Sequence, residues 1–311
     1  MKFINKSNGQ IFLFINALLW GSSYIWSKML LSYIPRFSIL FITAVAGLIV
    51  TAIMFYPSLR HITMTALLVS LTVSGLSILS NTFCMFALQY TSSSNTAFIV
   101  QMSVVMTPLI MALVEKRKPE AKIVIGSIIA LIGIFLLTSD ISSFRLRIGD
   151  ILALCNALFF SLYLVGLKVA SNKVNPVHFT LVHHTINSVV FLILALSLES
   201  RNIDFGIFAN LKILLLLAAS SLVVIFTTLT QSASIKYVRP EKATIIYTIE
   251  PVTAALLAFA LLGETLSGIK AVFGCTLILA AVVLSTVKIG KKKHVIAPDM
   301  PKIGVLDESL R

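Results

Sequence analysis

Charge is what this chain has least of. Only 12% of its 311 residues are Asp, Glu, Lys or Arg, about half of the roughly 25% with which a soluble domain covers its surface. Acid is scarcer still: 12 Asp and Glu stand against 25 Lys and Arg, for a net charge of +13. The low charge excludes a soluble globular enzyme, and a hydrophobic content of 58% excludes a disordered chain. Cysteine is also sparse. Cys84, Cys155 and Cys275 each lie in an apolar run with no Cys-x-x-Cys pair and no nearby His, so neither a disulfide nor a zinc framework is expected. Catalytic and nucleotide signatures are missing as well: there is no Gly-x-Ser-x-Gly, His-Glu-x-x-His, Walker loop or Gly-x-Gly-x-x-Gly. No catalytic residue, metal or cofactor is therefore expected, and energy for any work must come from an ion or solute gradient.

Long apolar runs are what the chain has instead. A spanning helix needs about 20 mostly apolar residues, and ten runs qualify: 11–33, 37–55, 64–89, 95–114, 121–138, 150–170, 178–198, 211–235, 243–262 and 269–287. They are too long, and alternate too little, to be strands. The breaks between them carry Pro, Gly, Ser, Asn or charge, as at Pro35-Arg36, Glu115–Pro119 and Arg239-Pro240. The expected fold is an all-α integral membrane protein with ten transmembrane helices, followed by a cytoplasmic tail at 291–311.

The basic excess then reads as an address. With the N-terminus inside, the outer loops hold only Lys28, Arg36, Arg145, Arg147, Arg201, Lys212 and Lys270, and every other Lys and Arg falls inside. This bias sets membrane orientation and places both termini in the cytoplasm. It accounts for the charge through anionic lipid, with no nucleic acid. Lys2 and Lys6 before an apolar stretch could suggest a signal peptide; an internal repeat argues against cleavage.

That repeat aligns Gly9 with Gly149, Ile11 with Ile151, Asn16-Ala17-Leu18 with Asn156-Ala157-Leu158 and Lys28 with Lys168. At a slightly longer offset Tyr90 meets Tyr237 and Gly126 meets Gly274. Two five-helix units are expected, 1–140 and 141–290. Five is odd, so the second enters the membrane from the opposite side. Inverted repeats of this kind commonly build transporters with a site near the midplane between the halves.

Polar residues within a span face the bundle interior or a cavity. Helical spacing draws stripes through Asn16, Trp20, Ser23 and Ser27; Ser70, Ser74, Ser77, Asn81 and Cys84; Asn156, Phe160 and Tyr163; Ser220, Thr227, Gln231 and Ser234; Ser94, Phe98, Gln101 and Pro108; and Thr244, Tyr247, Glu250 and Pro251. The fifth and tenth runs have almost no such residues and belong at the periphery or an oligomer contact. Small residues packing helix on helix are the competing explanation for any single Ser. Glu250 is the only acid deep in a span, and burying it costs on the order of 3 kcal/mol on insertion scales. It is either a substrate-amine ligand or proton-coupling site, or a structural hydrogen bond beside Pro251. Lys28 and Lys168, near helix ends, are expected to snorkel to the headgroups. His183, His184 and Asn187 lack a counterpart in the second run and are read as structural or modulatory.

In order along the chain, Leu18-Leu19-Trp20-Gly21-Ser22-Ser23-Tyr24 with Lys28, Phe86–Asn95, and Ile249-Glu250-Pro251-Val252 with Gly263-Glu264 resemble the drug/metabolite transporter superfamily, in its EamA-like branch of ten-helix carriers. The resemblance covers about residues 9–288. It implies a basket-like cavity lined by the first, third, fourth, sixth, eighth and ninth spans, with the fifth and tenth outside. The function expected is secondary transport of a small metabolite (amino acid, amine or cofactor-like solute) across a bacterial inner membrane by alternating access. The substrate is placed among Trp20, Ser23, Asn81, Gln101, Asn156, Tyr163, Gln231, Tyr247 and Glu250. The expected partners are that solute, membrane lipid and a proton or solute counter-gradient, with a monomer or homodimer as the assembly. An exporter of drugs or toxic compounds is the alternative; an intramembrane enzyme or a scaffold fits less well.

Overall fold

The computed structural model describes residues 4–138, 147–199, 206, 209–262 and 268–286; the tail expected at 291–311 lies outside them. Among the described residues every regular element is helical and none is a strand. In chain order they are α1 (Gly9–Leu30), α2 (Arg36–Met54), the short α3 (Tyr56–Leu59), α4 (Met64–Tyr90), α5 (Ser93–Val100), α6 (Ser103–Val114), α7 (Ala121–Thr138), α8 (Ile148–Ala170), α9 (Pro176–Leu198), α10 (Leu211–Ile235), α11 (Pro240–Tyr247), α12 (Glu250–Leu262) and α13 (Ile269–Thr286).

Local chemistry sets where these helices begin. Thr63, Ser92, Asn175 and Asn210 each accept a hydrogen bond from a first-turn N–H of α4, α5, α9 and α10, satisfying a donor the helix cannot pair. Pro176 and Pro240 open α9 and α11, where proline's missing N–H removes nothing. Seven stretches among the described residues are long and apolar enough to cross a membrane: Arg36–Met54, Met64–Tyr90, Asn95–Val114, Ile148–Ala170, Pro176–Leu198, Leu211–Ile235 and Pro240–Leu261. Ala121–Leu136 and Val272–Thr286 are apolar but shorter. The 22-residue α1 has the length, yet carries Asn16, Ser22, Ser23, Ser27 and Lys28.

Two runs expected as single helices are interrupted. The run at 95–114 stops at Val100 and resumes at Ser103, and the run at 243–262 stops at Tyr247 and resumes at Glu250. In the second, Pro251 lacks the N–H that would continue the helix from Tyr247. No proline stands at the first break. Pro108 lies further along in α6, and the Val104 carbonyl it leaves free takes the Ser127 hydroxyl at 2.9 Å.

Contacts between helices close a ring. It runs α1, α10, α2, α9, α4, α8, then α5 with α6, then α11 with α12, and back to α1. Members from before and after residue 140 alternate around it. Helices α7 and α13 stay outside, packed on each other. A Cβ at Gly133 would stand 2.8 Å from the Gly274 carbonyl, so small residues bring these backbones together, as packing in lipid favours. Ile125, Ile128, Ile132, Leu279 and Val283 point outward and exposed from this pair, an apolar surface suited to lipid.

Lys28 and Lys168, expected to snorkel to the headgroups, each also have protein partners. Lys28 Nζ donates to the carbonyls of Leu88 and Thr91, the latter at 2.9 Å, and Lys168 Nζ to those of Ile235 and Lys236 at 3.0 and 2.9 Å. The last carbonyls of a helix have no intrahelical donor, and an ammonium there also meets the negative end of the helix dipole. The C-terminal ends of α4 and α10 thus give each lysine a fixed partner.

Candidate functional site

The ring encloses a cavity of about 200 Å³ displaced toward one end of the bundle. Its lining takes the C-terminal half of α1 (Trp20, Ser23, Tyr24, Ser27), the N-terminal half of α2 (Ile39, Leu40, Thr43, Ala44) and the C-terminal half of α4 (Ser77 to Leu88). These three segments meet at the same end because successive helices run in opposite directions. Helix α8 adds Asn156, Phe160 and Tyr163, α10 adds residues from Ser220 to Gln231, α9 adds His183, His184, Asn187 and Phe191, and α12 adds Glu250.

The base of the cavity is aromatic and amide-rich. Trp20 meets Tyr247 edge-on at 5.0 Å between ring centroids and Phe160 at 5.7 Å. Tyr163 donates its hydroxyl to Gln231 Oε1, and Gln231 Nε2 donates to the Tyr247 oxygen, both at 3.0 Å. Asn156 Nδ2 donates to the Ser80 carbonyl at 2.7 Å and to its hydroxyl at 3.0 Å, while Asn156 Oδ1 is buried without a partner among the described residues.

Glu250 occupies the first turn of α12, where the positive end of the helix dipole favours a carboxylate. Its Oε2 accepts from the Tyr24 hydroxyl and from Gln101 Nε2, each at 3.2 Å. These donors come from α1 and from the break between α5 and α6, so the acid ties two discontinuities and the opening helix together. It lines the cavity while only 3% exposed.

Seven of the nine residues singled out in the sequence line the cavity: Trp20, Ser23, Asn81, Asn156, Tyr163, Gln231 and Glu250. Gln101 and Tyr247 stand one layer behind, Gln101 bonded to Glu250 and Tyr247 to Gln231. The lining differs from the basket inferred from the family. The second and seventh spans, α2 and α9, contribute to the wall, and the fourth contributes only Val100. The lining of α2 is mostly aliphatic and carries no polar stripe that would mark it in the sequence. The histidines of α9, read from the sequence as structural or modulatory, stand in the wall.

At the opposite end of the bundle charged side chains are paired. Arg117, after α6, donates to Glu241 of α11 at 2.7 Å and pairs with Glu115. Arg239 reaches Glu115 and Glu120 at 3.0 Å and Glu241 at 2.9 Å. Burial works against the Arg117 charge, yet Glu115 and then Glu241 outweigh it and hold the guanidinium above its ordinary pKa. Two loops far apart in the chain are thereby joined. Among the described residues no three His, Cys, Asp or Glu come together to hold a metal.

Similarity to known proteins agrees with this geometry. The model of the EamA-like transporter family matches residues 7–139 and again 147–287. An uncharacterized transporter of Archaeoglobus fulgidus is 28% identical over 280 residues, spanning 88% of this chain and 84% of that one. A crystal structure of another protein superposes with a TM-score of 0.73 over 91% of this chain and 97% of its own, at 17% identity. That likeness concerns the fold alone. The two family matches take in nearly all the described residues: this chain is a multi-pass membrane protein of the EamA-like transporter family, within the drug/metabolite transporter superfamily.

Proposed function

We propose that the protein is a secondary transporter of a small metabolite in a bacterial inner membrane, working by alternating access between two inverted five-helix units. The observation that carries this reading is the polarity of the bundle. A cavity lies toward one end, and an ion-paired seal between two distant loops lies at the other. With the termini cytoplasmic, the sealed end faces the cytoplasm and the cavity faces out.

Several relationships support the inverted pair. Taking α1 with α8, α2 with α9, α4 with α10 and α5/α6 with α11/α12 as counterparts reverses the order of the ring. A two-fold axis in the membrane plane does this; an axis along the normal would rotate the order instead. Asn16 donates to the Thr227 carbonyl at 3.4 Å and Asn156 to the Ser80 carbonyl, so matched asparagines reach matched positions in the opposite half. Lys28 and Lys168 each cap the third span of their own half. The breaks match too, since α5 and α11 begin 147 residues apart, as do α6 and α12. Counting each broken pair once and setting α3 aside leaves ten helical segments among the described residues, the number this reading requires. Discontinuous helices at a midplane site are a recurring transporter device.

The solute sits against Trp20, Ser23, Asn81, Asn156, Tyr163, Gln231 and Glu250, with Gln101 and Tyr247 supporting from behind. Aromatic faces, amides and one acid suit an amino acid, amine or cofactor-like compound, and Glu250 is the candidate for proton coupling. Purified protein in lipid vesicles tests this with a broad metabolite panel. Saturable flux of at least one solute is expected, and no flux of any would overturn the reading.

A further inference from the structure

Across the cavity from Glu250 lies a polar cluster that the reading above leaves unused. Helices α12 and α9 are opposite in the ring: α1, α10 and α2 separate them one way, and α5/α6, α8 and α4 the other. His183, His184 and Asn187 of α9 all line the cavity and all are buried. His183 Nδ1 lies 3.0 Å from the Ser74 hydroxyl, and its ring stacks on Phe179 at 5.4 Å. With Ser74 as donor, the His183 proton resides on Nε2.

His184 is the more telling of the two. Its Nε2 has no hydrogen-bond partner among the described residues, although the residue is only 1% exposed. A buried polar group left unpaired costs about 1–3 kcal/mol, and such groups are rare enough to need an explanation. The ring also sits in a prepared place, because a Cβ at Gly47 of α2 would fall 2.6 Å from it. Only a glycine there leaves room for the imidazole.

We propose that His184, with His183 beside it, is a second anchor for the transported solute and binds a carboxylate or similar oxyanion. The solute's cationic group then faces Glu250. This rests on the reading of the cavity as a solute site and narrows it to solutes charged at both ends. A solute with only an amine would satisfy Glu250 but leave His184 unpaired. One with only an acid would place like charge in a cavity that already holds a carboxylate. A solute carrying both pairs each wall with its complement.

The test measures ligand-induced thermal stabilisation of the full chain in detergent. The probes are the common α-amino acids, each matched with its decarboxylated amine and its deaminated acid. At least one amino acid is expected to bind wild type more tightly than both of its truncated forms. His184→Ala should lower the preference for that amino acid over its amine by on the order of tenfold. His184→Gln, which keeps a donor, should recover part of it, and its ratio decides the matter if the alanine variant does not fold. Glu250→Gln should instead lower the preference over the matched acid. The proposal is overturned if His184→Ala weakens amino acid and amine by the same factor, if it changes neither, or if no amino acid binds wild type. In that last case flux of another metabolite in vesicles would keep the carrier reading intact.

Discussion

Gly21 and Glu250 touch through their backbones: a Cβ on Gly21 would stand 2.6 Å from the Glu250 carbonyl oxygen and equally close to Thr253 Cβ. The apolar, glycine-containing stretch of α1 and the acid-proline start of α12 are thus two sides of one contact. Gly21→Ala forces these backbones apart and should cost about 1–3 kcal/mol, the usual range for overpacking. Gly75 of α4 has nothing within 4 Å of its would-be Cβ, so Gly75→Ala should be neutral or stabilising by about 0.5–1 kcal/mol. Thermal unfolding in detergent compares the two, and equal responses would contradict the contact.

The ion-paired end makes a second prediction. Glu241 is buried and takes both Arg117 and Arg239. Exposed pairs are worth little, but removing both cations strands a buried carboxylate. Arg117→Ala with Arg239→Ala should therefore destabilise by about 2 kcal/mol or more, and adding Glu241→Gln should restore much of the loss. A loss that stays the same in the triple variant would show that the carboxylate is not what the arginines serve.

The helix-end lysines make a third. Lys28→Met and Lys168→Met each leave helix-terminal carbonyls of α4 or α10 without a charged donor, and each should cost roughly 1–2 kcal/mol. The measurement is thermal unfolding of the two variants side by side. Side chains merely reaching toward headgroups would show almost no effect.

How much of this was legible in the chain follows from the kind of signal each feature leaves. The all-helical fold was plain from run length, and the wall residues of α1 and α8 from spacing alone, since Trp20, Ser23 and Asn156 stand out in apolar surroundings. The wall from α2 was not legible because Ile39, Leu40 and Ala44 look the same facing a cavity or lipid. The break before Ser103 has no proline to announce it. Arg117 and Arg239 read as topological charge, and only the fold shows that they meet Glu115 and Glu241. The same holds for Lys28, whose partners lie 60 and 63 residues away in sequence.

Proton coupling through Glu250 predicts that an imposed pH difference changes wild-type flux and that Glu250→Gln removes this response. Glutamine preserves the shape and an oxygen acceptor for Tyr24 and Gln101, so the variant should fold, and flux is compared at solute concentrations that offset its weaker binding. Flux measured in vesicles with and without the pH difference decides it. An unaltered response in the variant would leave Glu250 a structural role only.

If solute leaves on the far side only when the ion-paired end opens, holding that end shut must stop transport. A chain lacking Cys84, Cys155 and Cys275, with cysteines placed at Arg117 and Glu241, can be bridged across that seal with a short bifunctional thiol reagent. Solute flux in vesicles should stop on bridging while solute binding persists, and flux should return with a reducible bridge once it is cleaved. Flux that continues at the same rate through the bridged protein would show that solute does not pass through that end.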